Sequence, residues 1–196
     1  NFGNEEIRFQ NCKMNENFSA HSGGAISIWY SDMERFSCLF DSCEIIANHS
    51  NTGAGILYIT PTILANVHSV NFTFRNSSVE YNRPTTSSVI DVASSSLSDI
   101  DSIVFSGNYF NKNGNLTLLK IEEGLSRSLK VNDNVFIENE GPIVAPAYAS
   151  NNFFYKNKSY CILLVPGSED TCNVVNNVFA QSGDDNYQKY IFPVYS

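Results

Sequence analysis

A six-residue frame that recurs seven times, two apolar columns that keep step with it, and a further apolar segment after each copy predict an all-β fold. The class is a right-handed parallel β-helix, a solenoid of about seven rungs with three short strands per rung. It is expected to occupy residues 1–196 as a single domain.

The frame is clearest as N-x-F-x-x-N: "NYFNKN" from Asn108, "NVFIEN" from Asn134 and "NFFYKN" from Asn152. With the first residue as position zero, looser copies begin at Cys12, Cys43, Ser77 and Asn177. The starts lie 31, 34, 31, 26, 18 and 25 residues apart. Position −3 holds Phe9, Phe40, Phe74, Phe105, Val131, Ala149 and Val174. Position +2 holds Met14, Ile45, Val79, Phe110, Phe136, Phe154 and Phe179. Position −5 is also largely apolar, with Ile7, Cys38, Phe72, Ile103, Leu129, Ala147 and Cys172.

Positions −5 and −3 are two apart, so they share one face of a strand. The step from −3 to +2 breaks that parity, yet both columns are apolar. The chain must bend between them to aim both at one interior. A small polar residue at zero suits the bend, because Asn tolerates unusual backbone angles and bonds locally. The Asn at +5 suits a second bend. After a variable gap comes the third segment, at residues 23–28, 53–59, 87–92, 116–121, 141–146, 160–165 and 189–194. Its alternation and β-branched content read as a strand.

Rungs stacked at about 4.8 Å make a rod roughly 34 Å long. Identical positions then lie above one another. The apolar columns become interior stacks. The asparagines Asn108, Asn134, Asn152 and Asn177 at zero become one amide ladder. Asn17, Asn48, Asn82, Asn113, Asn139 and Asn157 at +5 become a second. A leucine-rich repeat is the structural rival. It wants an apolar residue at +5, where this chain has Asn in all copies but the last.

With 42% hydrophobic and 16% charged residues the chain is neither disordered nor transmembrane. No apolar run approaches the roughly 18 residues that span a bilayer. The net charge of −8, without a Lys/Arg cluster, argues against a nucleic-acid partner and against a basic lipid-binding face. The sequence starts in mid-pattern at Asn1, as expected of a segment of a longer chain.

The five cysteines match no zinc spacing. Cys161 and Cys172 flank the loop "ILLVPGSEDT" and are a candidate disulfide in an oxidising compartment, two buried thiols being the alternative. The carboxylate doublets Asp184–Asp185 and Glu122–Glu123 point to opposite strand faces and make poor pairs. Asp99 and Asp101 share a face, but no Arg or His column stands near them. His21, His49 and His68 lie in or near loops. No catalytic, metal-binding or cofactor-binding residue is assigned, and no cofactor is expected. Six N-x-S/T sequons occur. Those at Asn17, Asn48 and Asn157 fall in the +5 ladder, which leaves Asn71, Asn76 and Asn115 as the glycosylation candidates.

"GGAI" at residues 23–26, together with "FNKN", "FIEN" and "FYKN", resembles the GGA[I/L/V] and FxxN repeat pair of polymorphic outer membrane proteins and of similar protist surface proteins. The resemblance implies a surface-exposed β-helix used in adhesion or surface variation. The expected function is a non-catalytic extracellular or cell-surface module, a rigid spacer or adhesin. Its outward loops would meet a protein or glycan on another surface. A carbohydrate-active, pectate-lyase-like enzyme is one alternative. A subunit of an extracellular filament or coat, pairing with copies of itself, is another.

Overall fold

The computed structural model describes residues 3–21, 23–30, 33–51, 56–61, 67–86, 88–92, 100–114, 117–121, 129–141, 143–144, 148–158, 161–164, 173–181 and 191–193. Among these residues there is no helix, and the strands form four parallel sheets. The first sheet runs in the order β1 (Asn4–Gln10), β5 (Met33–Asp41), β9 (Val67–Arg75), β13 (Ile100–Ser106), β16 (Leu129–Asn132), β19 (Tyr148–Ser150) and β22 (Asn173–Val175). The second is β2 (Lys13–Asn15), β6 (Glu44–Ile46), β10 (Ser78–Glu80), β14 (Tyr109–Asn111), β17 (Val135–Ile137), β20 (Phe153–Tyr155) and β23 (Val178–Ala180). A small third sheet joins β3 (Phe18–Ser19), β7 (His49–Ser50) and β11 (Arg83–Pro84). The fourth is β4 (Ile26–Tyr30), β8 (Leu57–Pro61), β12 (Ser88–Val92), β15 (Thr117–Ile121), β18 (Ile143–Val144), β21 (Ile162–Leu164) and β24 (Ile191–Pro193).

One copy of the frame therefore supplies one strand to each large sheet, and the next copy pairs beside it. The register follows the frame. Phe9 pairs with Phe40 and Phe40 with Phe74 at −3. Met14 pairs with Ile45, and Phe110 with Phe136, at +2. One irregularity interrupts it, between Ile100 and Ser102 on β13.

Strand alternation puts the −5, −3 and +2 side chains into one core. Phe40, Phe74, Phe105, Phe110, Phe136 and Phe154 are buried there with Ile45 and Val79. Burying a Phe contributes about 1.5–3 kcal/mol. The +2 rings Phe110, Phe136, Phe154 and Phe179 stack in sequence, with centroids 4.8–4.9 Å apart and planes within 9°. The Phe9–Phe40 pair at −3 stacks at 4.6 Å. Strand spacing of about 4.8 Å favours that distance, although the register partners Phe40, Phe74 and Phe105 are tilted by 34° at 5.4 and 5.8 Å. The terminal copies (Phe9, Met14, Val174, Phe179) are only partly buried.

The bends differ from the sequence expectation in where they fall. The left-handed backbone is not at zero or +5 but one residue earlier. Asn11, Ser42, Asn76, Gly107, Asp133, Asn151 and Asn176 precede zero with φ of 51–64°. Glu16, Ala47, Tyr81, Lys112, Glu138, Lys156 and Gln181 precede +5 with φ of 48–57°. At these residues, up to Lys156, the backbone N–H still reaches the adjacent copy, as in Ala47 to the Glu80 carbonyl at 2.9 Å. The chain thus turns a corner while its ladder of bonds continues.

Three strands per copy also understates the first three copies, where β3, β7 and β11 add a fourth. In the next three copies a single bond persists at that place, for instance from Gly114 N to the Asn82 carbonyl at 2.9 Å.

Candidate functional site

The two asparagine columns occupy the residues just after the bends, and their side chains turn inward. At +5, Asn82 Oδ1 accepts the backbone N–H and the Nδ2 of Asn48, both at 3.0 Å. Asn82 Nδ2 donates to the Ile45 carbonyl at 2.7 Å and to Asn113 Oδ1 at 3.0 Å. The series runs on from Asn113 to Asn139 and from Asn139 to Asn157, and begins with Asn17 donating to Asn48. At zero, Asn108 donates to Asn134, Asn134 to Asn152 and Asn152 to Asn177. Asn82, Asn108, Asn134, Asn139 and Asn152 are buried to 2% exposure or less. Such a carboxamide spends two donors and two acceptances inside the protein, which removes the cost of burying it and leaves little for a ligand. Asn17 is exposed, Asn177 is half-buried and Asn157 is buried.

The zero column starts without amides. Ser77 Oγ accepts the Cys43 N–H at 3.0 Å, and Ser77 N–H donates to Asn108 Oδ1. Cys12, Cys38 and Cys43 carry free thiols. Burial pushes the Cys38 thiol up to about 12 and also raises that of Cys43. Cys161 is buried, and Cys172 lies outside the described residues, as do Ala147 and Ser182.

Exposed aromatics stand on two sheets of the early copies, on β3 and on β4. Phe18 is 64% exposed and stacks on His49 at 5.6 Å. Trp29 is 62% exposed, meets Tyr58 edge-on at 6.1 Å, and donates from Nε1 to Ser27 Oγ at 2.9 Å. The "GGAI" glycines serve this region. Gly23 is left-handed at φ 68°, and a Cβ on Gly24 would stand 2.8 Å from the His49 carbonyl oxygen. Further along, Tyr109 and Phe153 are partly exposed on the outer face of the second sheet.

His49 Nε2 lies 2.9 Å from Asn51 Oδ1, and His21 is exposed. Among the described residues no group of three or more His, Cys, Asp or Glu is placed to hold a metal ion. Asp99, Glu122, Glu123, Asp184 and Asp185 lie outside the described residues. Of the sequons, Asn71 is half-buried, with Nδ2 3.3 Å from Ser69 Oγ. Asn76 is exposed at a bend and donates to Asp41 Oδ1 at 3.3 Å. Asn115 lies outside the described residues. Arg75 hydrogen-bonds the same Asp41 carboxylate at 2.8 Å and, aided by Asn76 and Ser42, holds its pKa below the usual carboxylate value.

The chain matches no protein-family model, no curated protein and no solved structure. The Phe18–His49 and Trp29–Tyr58 pairs escaped sequence reading because outward positions do not repeat. Only their chemistry, large aromatics in a loop-rich region, gave a signal. No helix among the described residues is long and apolar enough to cross a membrane.

Proposed function

We propose that this chain is a right-handed parallel β-helix that serves as a non-catalytic extracellular or cell-surface module, a rigid spacer with an adhesive side. The observation that carries the reading is the frame-by-frame register of three seven-stranded parallel sheets around one apolar core. Backbone ladders join every pair of neighbouring copies, with the +5 amide ladder from Asn17 to Asn157, the zero amide ladder from Asn108 to Asn177 and ring stacks adding to them, which suits a stiff rod. Kinship with the polymorphic outer membrane protein repeats is part of the proposal. It rests on the GGAI and FxxN residues, whose roles here are the tight approach at Gly24 and the Phe/Asn ladders.

Recognition is assigned to Phe18 on the third sheet and Trp29 on the fourth, the most exposed large apolar residues among those described. Scattered exposed apolar residues are ordinary, but two exposed aromatics each braced by a second ring suit contact with a protein or a glycan. Asn76 is the best-placed acceptor for glycosylation.

The test has two arms. Small-angle scattering should give an elongated particle; a spherical one would defeat the β-helix. Beads coated with the chain should bind host cells or immobilised glycans, and Phe18→Ala with Trp29→Ala should weaken that binding at least tenfold without changing the scattering. Turnover of a polysaccharide by the purified chain would replace this reading with the enzymatic one.

A further inference from the structure

We propose that Cys12 and Cys43 are a disulfide site that joins the first two copies of the frame at position zero. The proposal rests on the β2–β6 register and goes beyond the adhesive reading. Gln10 pairs with Asp41 and Lys13 with Glu44, so Cys12 stands opposite Cys43. Backbone bonds close the ladder on both sides, from Asn11 N to the Asp41 carbonyl at 3.0 Å and from Glu44 N to the Cys12 carbonyl at 2.8 Å. Neighbouring strands lie about 4.8 Å apart, inside the roughly 4.4–6.8 Å Cα separation of disulfides.

The two sulfurs sit near equivalent carbonyls of neighbouring strands. Cys12 Sγ lies 3.4 Å from the Gln10 carbonyl oxygen. Cys43 Sγ lies 3.5 Å from the equivalent Asp41 carbonyl and 3.3 Å from the Phe9 carbonyl of the preceding copy. The Cys43 sulfur thus leans toward the copy that holds Cys12. The two Cβ vectors run side by side, so one side chain must turn to close the bond. Cys12, in the first copy, is half-buried, whereas Cys43 is buried.

The position also has a logic within the column. From Asn108 onward, neighbours at zero are joined by amide hydrogen bonds. Cys12 and Cys43 sit where no amide is available, and a covalent bond would supply the same tie. Cys38 has Ile7 and Phe72 as its register neighbours and offers no competing thiol there.

The oxidant is a low-molecular-weight disulfide such as oxidised glutathione. The more accessible Cys12 thiolate attacks one glutathione sulfur and expels glutathione thiolate. The Cys43 thiolate then attacks Cys12 Sγ of the mixed disulfide and expels the second glutathione thiolate. Two thiols become one disulfide, and the two protons pass to the released glutathiones.

The experiment treats the folded chain with oxidised glutathione at pH 8, alkylates it, digests it without reduction and maps the peptides by mass. The expected result is a Cys12–Cys43 linked pair, two hydrogens lighter than the reduced peptides. Thermal unfolding of the oxidised form should rise by roughly 5–10 °C and fall back with dithiothreitol. Cys12→Ser, which copies the hydroxyl of Ser77 in the same column, should fold like the reduced chain and show no such rise. Three results would overturn the site: Cys12 left as a stable glutathione adduct beside alkylated Cys43, Cys12 linked to a second molecule, or equal yields of the pair in folded and urea-unfolded chain.

Discussion

The carboxamide oxygen of Asn152 receives two bonds from Asn134, the backbone N–H at 3.0 Å and the side-chain Nδ2 at 3.1 Å. Asn152 Nδ2 in turn donates to the Val131 carbonyl at 2.8 Å. Replacing Asn152 with Ala strands the buried Asn134 N–H and takes one bond each from the Val131 carbonyl and from Asn134 Nδ2, which keeps the Phe105 and Asn132 carbonyls. A stranded group costs about 1–3 kcal/mol and an ordinary lost bond about 0.5–1.5 kcal/mol, so a loss of about 2 kcal/mol or more is expected in urea unfolding. Lys130→Ala, on the exposed face, should stay within about 0.5 kcal/mol of the parent. Equal effects from the two would refute a stabilising ladder.

The bend columns invert the usual Gly rule. Ala47 is exposed and left-handed at φ 55°. A non-glycine residue there costs about 1–2 kcal/mol, partly offset by the greater freedom that Gly loses on folding. Ala47→Gly should therefore stabilise by about 0.5 kcal/mol, as a rise in the urea midpoint. Gly107→Ala should do the reverse, by about 1–2 kcal/mol, because φ is 64° and the added Cβ meets Asn76 Oδ1 at 2.9 Å. Gly24→Ala faces backbone rather than a side-chain tip and should cost about 1–3 kcal/mol.

Large rings trade places between −3 and +2. Early copies pair Phe40 with Ile45 and Phe74 with Val79; later ones pair Val131 with Phe136 and Ala149 with Phe154. A copy can thus take its ring from either position, and the copy of Phe105 and Phe110 takes one from both. Phe154→Val alone removes a stacked ring, and Ala149→Phe alone overpacks by about 1–3 kcal/mol. The double variant should be more stable than the sum of the singles by at least about 1 kcal/mol. Additive effects in a double-mutant cycle would show that the two positions do not share space.

Asp41 gives a pH signature. Arg75 holds its folded pKa below the unfolded value. The associated stabilisation is complete above the ordinary Asp range and is lost as pH falls through the folded pKa. Arg75→Gln should raise the Asp41 pKa, read from its carboxyl carbon shift in NMR titration. Asp41→Asn should flatten the acid side of the stability curve. An unchanged Asp41 titration in the Arg75 variant would remove the ion pair as cause.

The parallel all-β class was legible because Phe9, Phe40 and Phe74, or Phe110, Phe136 and Phe154, are the same residue at the same place in successive copies. In-register pairing converts such one-dimensional repetition into stacks. The positions of Asn82 and Asn139 were visible for the same reason. Left-handed Lys112 and Ala47 were not, since neither residue type signals φ > 0 and the bonds that hold them there come from the next copy. The small third sheet was missed too, because Phe18, His49 and Arg83 share no residue type.

The sequence by itself determined the repeat, its interior columns and the two asparagine positions, because each is a local pattern that recurs. Only the tertiary structure decided which residue turns each corner, where the small third sheet forms, and which side chains bond across copies, as Arg75 does with Asp41. Such relations join residues of adjacent copies, as Arg75 and Asp41 do across 34 positions. They exist only once neighbouring strands settle into register, at a distance fixed by backbone hydrogen bonding and not by any side chain.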